Sequence, residues 1–174
     1  LVMLPFVIWR VKKIDKKFWW ILPGGLLLYG GSSLQQAGIA TTSAGTAGFI
    51  TGVYVVLVPL MLTIFWKHKT KAIIWLAAVA ALAGTYLLST GGSALTPSTG
   101  NLIVLAGSLV WAFHVIVVGF AAKSLDVLIF SVGQVLLCGV LHLISSLFVN
   151  PPLVADIMAC WPAILYAGLG SVVV

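Results

Sequence analysis

Carboxylates are the scarcest chemistry in this chain. Asp15, Asp126 and Asp156 are the only acids among 174 residues, and all three fall between the long apolar runs rather than inside them. No run therefore offers an acid that could bind a metal or relay protons through a bilayer. There is no Ser/His/Asp set, no HExxH and no CxxC, so hydrolytic, zinc-peptidase and thiol-redox chemistry lack their usual residues. A P-loop is missing too, and the chain does not drive work by nucleotide hydrolysis on its own. The two cysteines, Cys138 and Cys160, sit in or near apolar segments without metal or redox spacing, and are read as inert small residues. No cofactor and no metal is expected. Charge of any sign is short: 7% of residues, against about 25% in an average soluble protein. With 61% hydrophobic residues and a mean hydropathy of +1.20, little is left from which to build a soluble domain.

What is present is length of apolar chain. The hydrocarbon core of a bilayer is about 30 Å thick and takes roughly 20 helical residues to cross. Trp19–Ala40, Thr46–Trp66, Ala72–Ser89, Asn101–Ala122 and Val127–Val149 meet that length without a charged residue. Val2–Trp9 reads as the end of an earlier helix and Ile157–Val174 as the start of a later one. The runs are too long and continuous for barrel strands, which alternate with period two. The expected fold is all-α, a polytopic transmembrane bundle of five complete and two partial helices. With no initiator Met and with apolar residues at both ends, the chain is expected to be a piece of a longer protein.

The nine Lys and Arg residues fall in three patches: Arg10, Lys12, Lys13, Lys16 and Lys17; then Lys67, Lys69 and Lys71; then Lys123. Two apolar segments separate each patch from the next, so all the cations return to one side of a membrane. This is the positive-inside pattern. It predicts a multi-pass protein of the plasma (inner) membrane with loops 10–17, 67–71 and 123–126 in the cytoplasm. The net charge of +6 is accounted for by orientation, not by a nucleic-acid partner. The intervening loops, TTSAG, TGGSALTPSTG and NPPLVAD, carry no Lys or Arg and are expected outside. Trp19, Trp20, Trp66 and Trp75 border the cationic loops, and Trp161 the other side, as interfacial anchors do. The Gly/Ser/Thr/Pro loop at 90–100 is the best internal boundary, dividing residues 1–89 from 101–174.

Polar residues inside the spans are informative because hydrocarbon gives them no partner. Ser131, Gln134, Cys138, His142 and Ser145 make one stripe; Gly107, Trp111 and His114 another; Tyr29, Ser32 and Gln36, with Gln35 beside them, a third; Thr51 and Tyr54 share a face. These stripes fit a polar cavity between helices that could hold a small solute. They fit equally the interhelical hydrogen bonds that stabilise membrane bundles by about 0.6–2 kcal/mol each. Ser and Thr lean to the second reading, while Gln36, Gln134 and His114 are open between the two. His142 is expected to be solvated near the external face. Ala44, Gly48 and Gly52 recur every four residues, a spacing that lets helix backbones approach, with a helix of the same chain or of a second copy (a homodimer) as partner. Pro59 removes a backbone hydrogen bond in mid-helix and is expected to kink it, and breaks of this kind in transporters often lie near a site or hinge.

Two segments resemble a known family. QQAGIATTSAGTAGFITGVYVVLVPLM (Gln35–Met61) resembles the EamA family of the drug/metabolite transporter superfamily, where one helix passes through a Thr/Ser/Ala/Gly turn into another bearing such a Pro. GNLIVLAGSLVWAFHVIVVGFAAKSLDVLIFSVGQVLLCGVL (Gly100–Leu141) resembles the opening of that family's second repeat. Together they cover about 40% of the chain. The resemblance implies ten helices in two inverted five-helix repeats, with this chain supplying the third to seventh in full, the repeat junction at 90–100 outside and half of the second repeat lacking. It implies secondary, ATP-independent transport of amino acids, metabolites or drug-like solutes by alternating access. It also implies cavity residues drawn from Gln35, Gln36, Thr51, Tyr54, Trp111, His114 and Gln134. Tyr54 and Trp111 could face apolar or cationic parts of a solute, and His114 could link transport to protons. The competing reading is a membrane-embedded enzyme acting on lipid or isoprenoid substrates, for which the acidic or multi-His cluster is not in this sequence.

Overall fold

The structure is a computed structural model that describes residues 16–92, 96–149 and 154–166, with side chains from 17 and, in the last segment, from 157. The expected partial helix Val2–Trp9, most of the 10–17 loop, the tip of the 90–100 loop and the end of Ile157–Val174 lie outside the described residues.

Every element among the described residues is helical. A 3-10 turn, Lys16–Trp20, leads into α1 (Ile21–Ile39); then come α2 (Ala44–Gly52), α3 (Tyr54–Trp66), α4 (Ala72–Thr90), α5 (Thr99–Ala121), α6 (Val127–Val149) and α7 (Val154–Leu165). Local chemistry sets the ends. Ser43 accepts the Thr46 N–H at 3.1 Å to open α2, and Ser98 accepts the Asn101 N–H at 3.1 Å to open α5. Asp126 Oδ1 accepts from the N–H groups of Leu128 and Ile129 at 3.0 and 3.2 Å to open α6. Side chains thus satisfy N–H groups that have no partner within the helix. Gly91 closes α4 in the left-handed conformation, its N–H bonding the Leu87 carbonyl at 2.9 Å.

Four of the five expected spans have the length and apolarity to cross a membrane: α2 with α3 (Ala44–Trp66), α4, α5 and α6. The fifth, α1, has 19 residues, but its five glycines, two serines and two glutamines dilute its apolar character. It packs closely on both α5 and α6. In turn α5 packs on α2 and α3 as well, while α4 covers the far side of α2 and α3. The order across the bundle is α6, α1, α5, α2/α3, α4. Among the described residues α5 contributes more buried side chains than any other helix, including Val104, Ser108, Ala112, His114 and Ile116.

Between α2 and α3 the helix is interrupted at Val53. There the N–H bonds three residues back, to the Ile50 carbonyl at 3.2 Å. Pro59 itself is buried inside a continuous α3. Gly52, with the lowest helix propensity after proline, directly precedes the break.

The two ends of the bundle differ. At one, Trp20 from the 3-10 turn, Trp66 from α3 and Phe120 from α5 gather, with Lys123 beside them. At the other, Thr42 Oγ1 donates to Asn101 Oδ1 at 2.6 Å and Asn101 Nδ2 donates to the Thr96 carbonyl at 2.8 Å. Cationic connections thus meet cationic connections, and Thr/Ser/Asn connections meet one another.

Candidate solute site between α1, α5 and α6

Glycine makes the site possible. Gly24, Gly31 and Gly38 stand seven residues apart on α1, and Gly100 and Gly107 seven apart on α5. A seven-residue step keeps the same helix face toward a neighbour. A Cβ on Gly31 would come within 3.0 Å of the Trp111 indole, and one on Gly24 within 2.8 Å of the Phe130 ring and 3.2 Å of Gln134 Oε1. A Cβ on Gly107 would meet the Leu34 side chain at 3.3 Å. The bare backbone of α1 is therefore the floor on which Trp111 and Gln134 rest.

On that floor four of the expected residues come together. Gln35 Oε1 accepts from Trp111 Nε1 at 3.2 Å, from α5 to α1. Trp111 meets the His114 ring edge-on, with centroids 5.6 Å apart. His114 Nε2 lies 2.9 Å from Gln134 Oε1, joining α5 to α6. With the amide oxygen as acceptor, Nε2 is the nitrogen that carries the proton. His114 and Gln134 are both buried. The result is a charge-free polar chain, Gln35–Trp111–His114–Gln134, running through three helices. It can donate and accept hydrogen bonds and offers an indole face, yet carries no fixed charge.

The other three expected residues lie elsewhere. Gln36 is exposed. Tyr54 packs against Met61, Ala112 and Ile116, on a different face of α5 from Trp111 and His114. Thr51 sits beside the Val53 break, its Oγ1 buried and without a hydrogen-bond partner among the described residues. Of the small-residue stripe, Gly48 has open space where a Cβ would be and Gly52 only ordinary contact with Thr85. The close approach in α2 is made by Gly45, whose Cβ would lie 2.7 Å from the Ser89 carbonyl oxygen.

A second polar group was missed by sequence reasoning. His142 meets Tyr29 edge-on at 4.7 Å. Its Nε2 lies 3.4 Å from Ser32 Oγ and its Nδ1 3.5 Å from Cys138 Sγ. The signal was available, since Tyr29 and Ser32 form one helical stripe and Cys138 and His142 another. Setting His142 aside as solvated and Cys138 as inert separated them. His142 is exposed, yet it is also partnered.

The model of the EamA-like transporter family matches residues 1–90, just over half of the chain. The chain belongs to the EamA-like transporter family. None of the curated proteins and none of the solved structures compared with it matches. The EamA match covers α1 to α4 and so includes Gln35, Gln36, Thr51 and Tyr54, while Trp111, His114 and Gln134 lie beyond it. Membership in a transporter family suggests a membrane transporter of the drug/metabolite type and a non-enzymatic role. It brings with it a membrane setting and small-molecule solutes, in keeping with the apolar helices.

Proposed function

We propose that this EamA-family chain works as a secondary transporter. The transporter moves small metabolites, amino acids or drug-like solutes by alternating access, without ATP. The observation that carries the proposal is the polar chain Gln35–Trp111–His114–Gln134 at the meeting of three helices, half-buried at its first two members and buried at its last two. Polar groups inside a membrane bundle that face one another across helices mark candidate solute pathways. Here they join α1, before the 90–100 loop, to α5 and α6, after it. If that loop is the junction of two repeats, the polar chain lies on the surface along which the repeats move. A solute that displaces the internal hydrogen bonds in one state and not the other would shift the balance between states, as transport needs.

The same reading places the lysine-rich end in the cytoplasm of a plasma (inner) membrane protein, by the positive-inside rule. Indole, imidazole and amide groups without a carboxylate suit solutes that are neutral, aromatic or weakly cationic.

Flux in vesicles of both orientations tests the proposal, with a panel of amino acids and cationic drugs and with the full-length protein. Saturable flux that falls roughly tenfold or more in His114→Ala and in Gln134→Ala is expected, about 1.4 kcal/mol of lost interaction. A saturable flux unchanged in both variants would sink the assignment of the site.

A further inference from the structure

The cationic end of the bundle is assembled into a single platform, and Phe120, in the last turn of α5, is its centre. Trp20 stacks on Phe120 with centroids 6.4 Å apart and planes 22° apart. Trp66, at the end of α3, lies 5.7 Å away. Lys123 Nζ stands 5.6 Å over the same ring. Three connections separate in sequence are thus tied to one side chain. Phe65 and Trp66 meet edge-on at 6.1 Å and remain 66% and 48% exposed, so the platform has an uncovered aromatic rim.

Cations crowd this rim. Lys67 follows Trp66 directly in the left-handed conformation, φ 51°, a position that glycine ordinarily fills. The Thr63 and Thr70 hydroxyls, 3.1 Å apart, tie the loop of Lys67, Lys69 and Lys71 back to the last turns of α3. Among the described residues this end holds Lys17, Lys67, Lys69, Lys71 and Lys123 and one acid, Asp126, which caps α6. Even with Asp126 fully paired, a strong positive excess remains.

Exposed aromatic rings beside ammonium groups at the end of apolar helices suit a ligand with an anionic head and an apolar tail. Indoles settle at the headgroup boundary, and lysines beside them attract anionic lipid. A soluble anion would use the lysines but leave the Phe65 and Trp66 rings uncovered. We propose that this platform is a binding site for an anionic phospholipid of the bilayer. Lys67 and Lys123 hold its phosphate, and an acyl chain lies along Trp66 and Phe65.

The test is native mass spectrometry of the full-length protein released from nanodiscs of equimolar phosphatidylcholine and phosphatidylglycerol. Lys67→Gly removes one cation at a backbone position that favours glycine, and Lys123→Gln removes the other; neither residue belongs to the solute site. The wild type should retain phosphatidylglycerol in preference. Each substitution should lower that preference about fivefold, the equivalent of about 1 kcal/mol per lysine near the surface. Lys123→Arg, which keeps the charge, should retain it. Equal retention of both lipids by the wild type would overturn the proposal, as would an undiminished preference in the double variant. Displacement of the bound lipid by soluble glycerol phosphate would overturn it too, by making the site one for free phosphate.

Discussion

At the scale of residues, the His114–Gln134 pair defines the interior. An imidazole and a primary amide bond each other at 2.9 Å between α5 and α6, both buried. In a membrane bundle such a bond stabilises by about 0.6 kcal/mol on average and up to about 1.7. Unfolding measurements on His114→Leu, Gln134→Leu and the double variant should therefore give a coupling energy of that size. Strict additivity would mean that the two groups do not act as a pair. A functional role makes a further demand. Histidine is the side chain whose unperturbed titration lies nearest neutrality, so His114→Gln should alter both the rate of solute flux and its dependence on pH. If both stay unchanged, His114 is a packing residue and proton linkage must be sought elsewhere.

At the scale of elements, glycine governs which helices touch. On Gly38 a Cβ would press against the Val104 side chain and lie 2.9 Å from the Gly100 carbonyl oxygen, backbone that cannot yield. Gly38→Ala should therefore destabilise the bundle by about 1–3 kcal/mol, the usual cost of overpacking. Gly48→Ala, with open space around the added carbon, should be neutral or slightly stabilising because alanine favours helix. Thermal unfolding in detergent distinguishes the two, and equal losses would contradict the packing described. These elements also show what was legible in the sequence. The extents of α4, α5 and α6 followed from uncharged apolar length, and the structure adds the caps Ser98 and Asp126 and the terminating Gly91. The α1–α5 contact was less legible because its glycines recur every seven residues, whereas the familiar small-residue spacing is the four-residue one of Ala44, Gly48 and Gly52. The break at Val53 was not foreseen, although Gly52 before it is a weak point in a helix. Gln35, Trp111, His114 and Gln134 were legible as polar residues in apolar runs. Which of them would touch was not, since helical stripes fix faces and leave the pairing of faces to tertiary packing.

At the scale of the whole molecule, helix ends sort by chemistry. Trp20, Trp66, Phe120 and Lys123 meet at one end and Thr42, Asn101 and Thr96 at the other. The positive-inside rule then predicts that Lys69→Cys reacts with an impermeant thiol reagent only from the cytoplasmic side and Thr96→Cys only from outside. The reverse pattern would invert the topology. Between these ends, alternating access requires the α1/α5/α6 polar chain to open to each side in turn. The most direct measurement is alkylation of a single cysteine at Gln35, with Cys138 and Cys160 replaced, in sealed vesicles of each orientation. The account predicts labelling by an impermeant maleimide from both faces, slowed by any solute the protein carries. A cysteine that reacts from neither face, in protein that still folds and inserts, would contradict it.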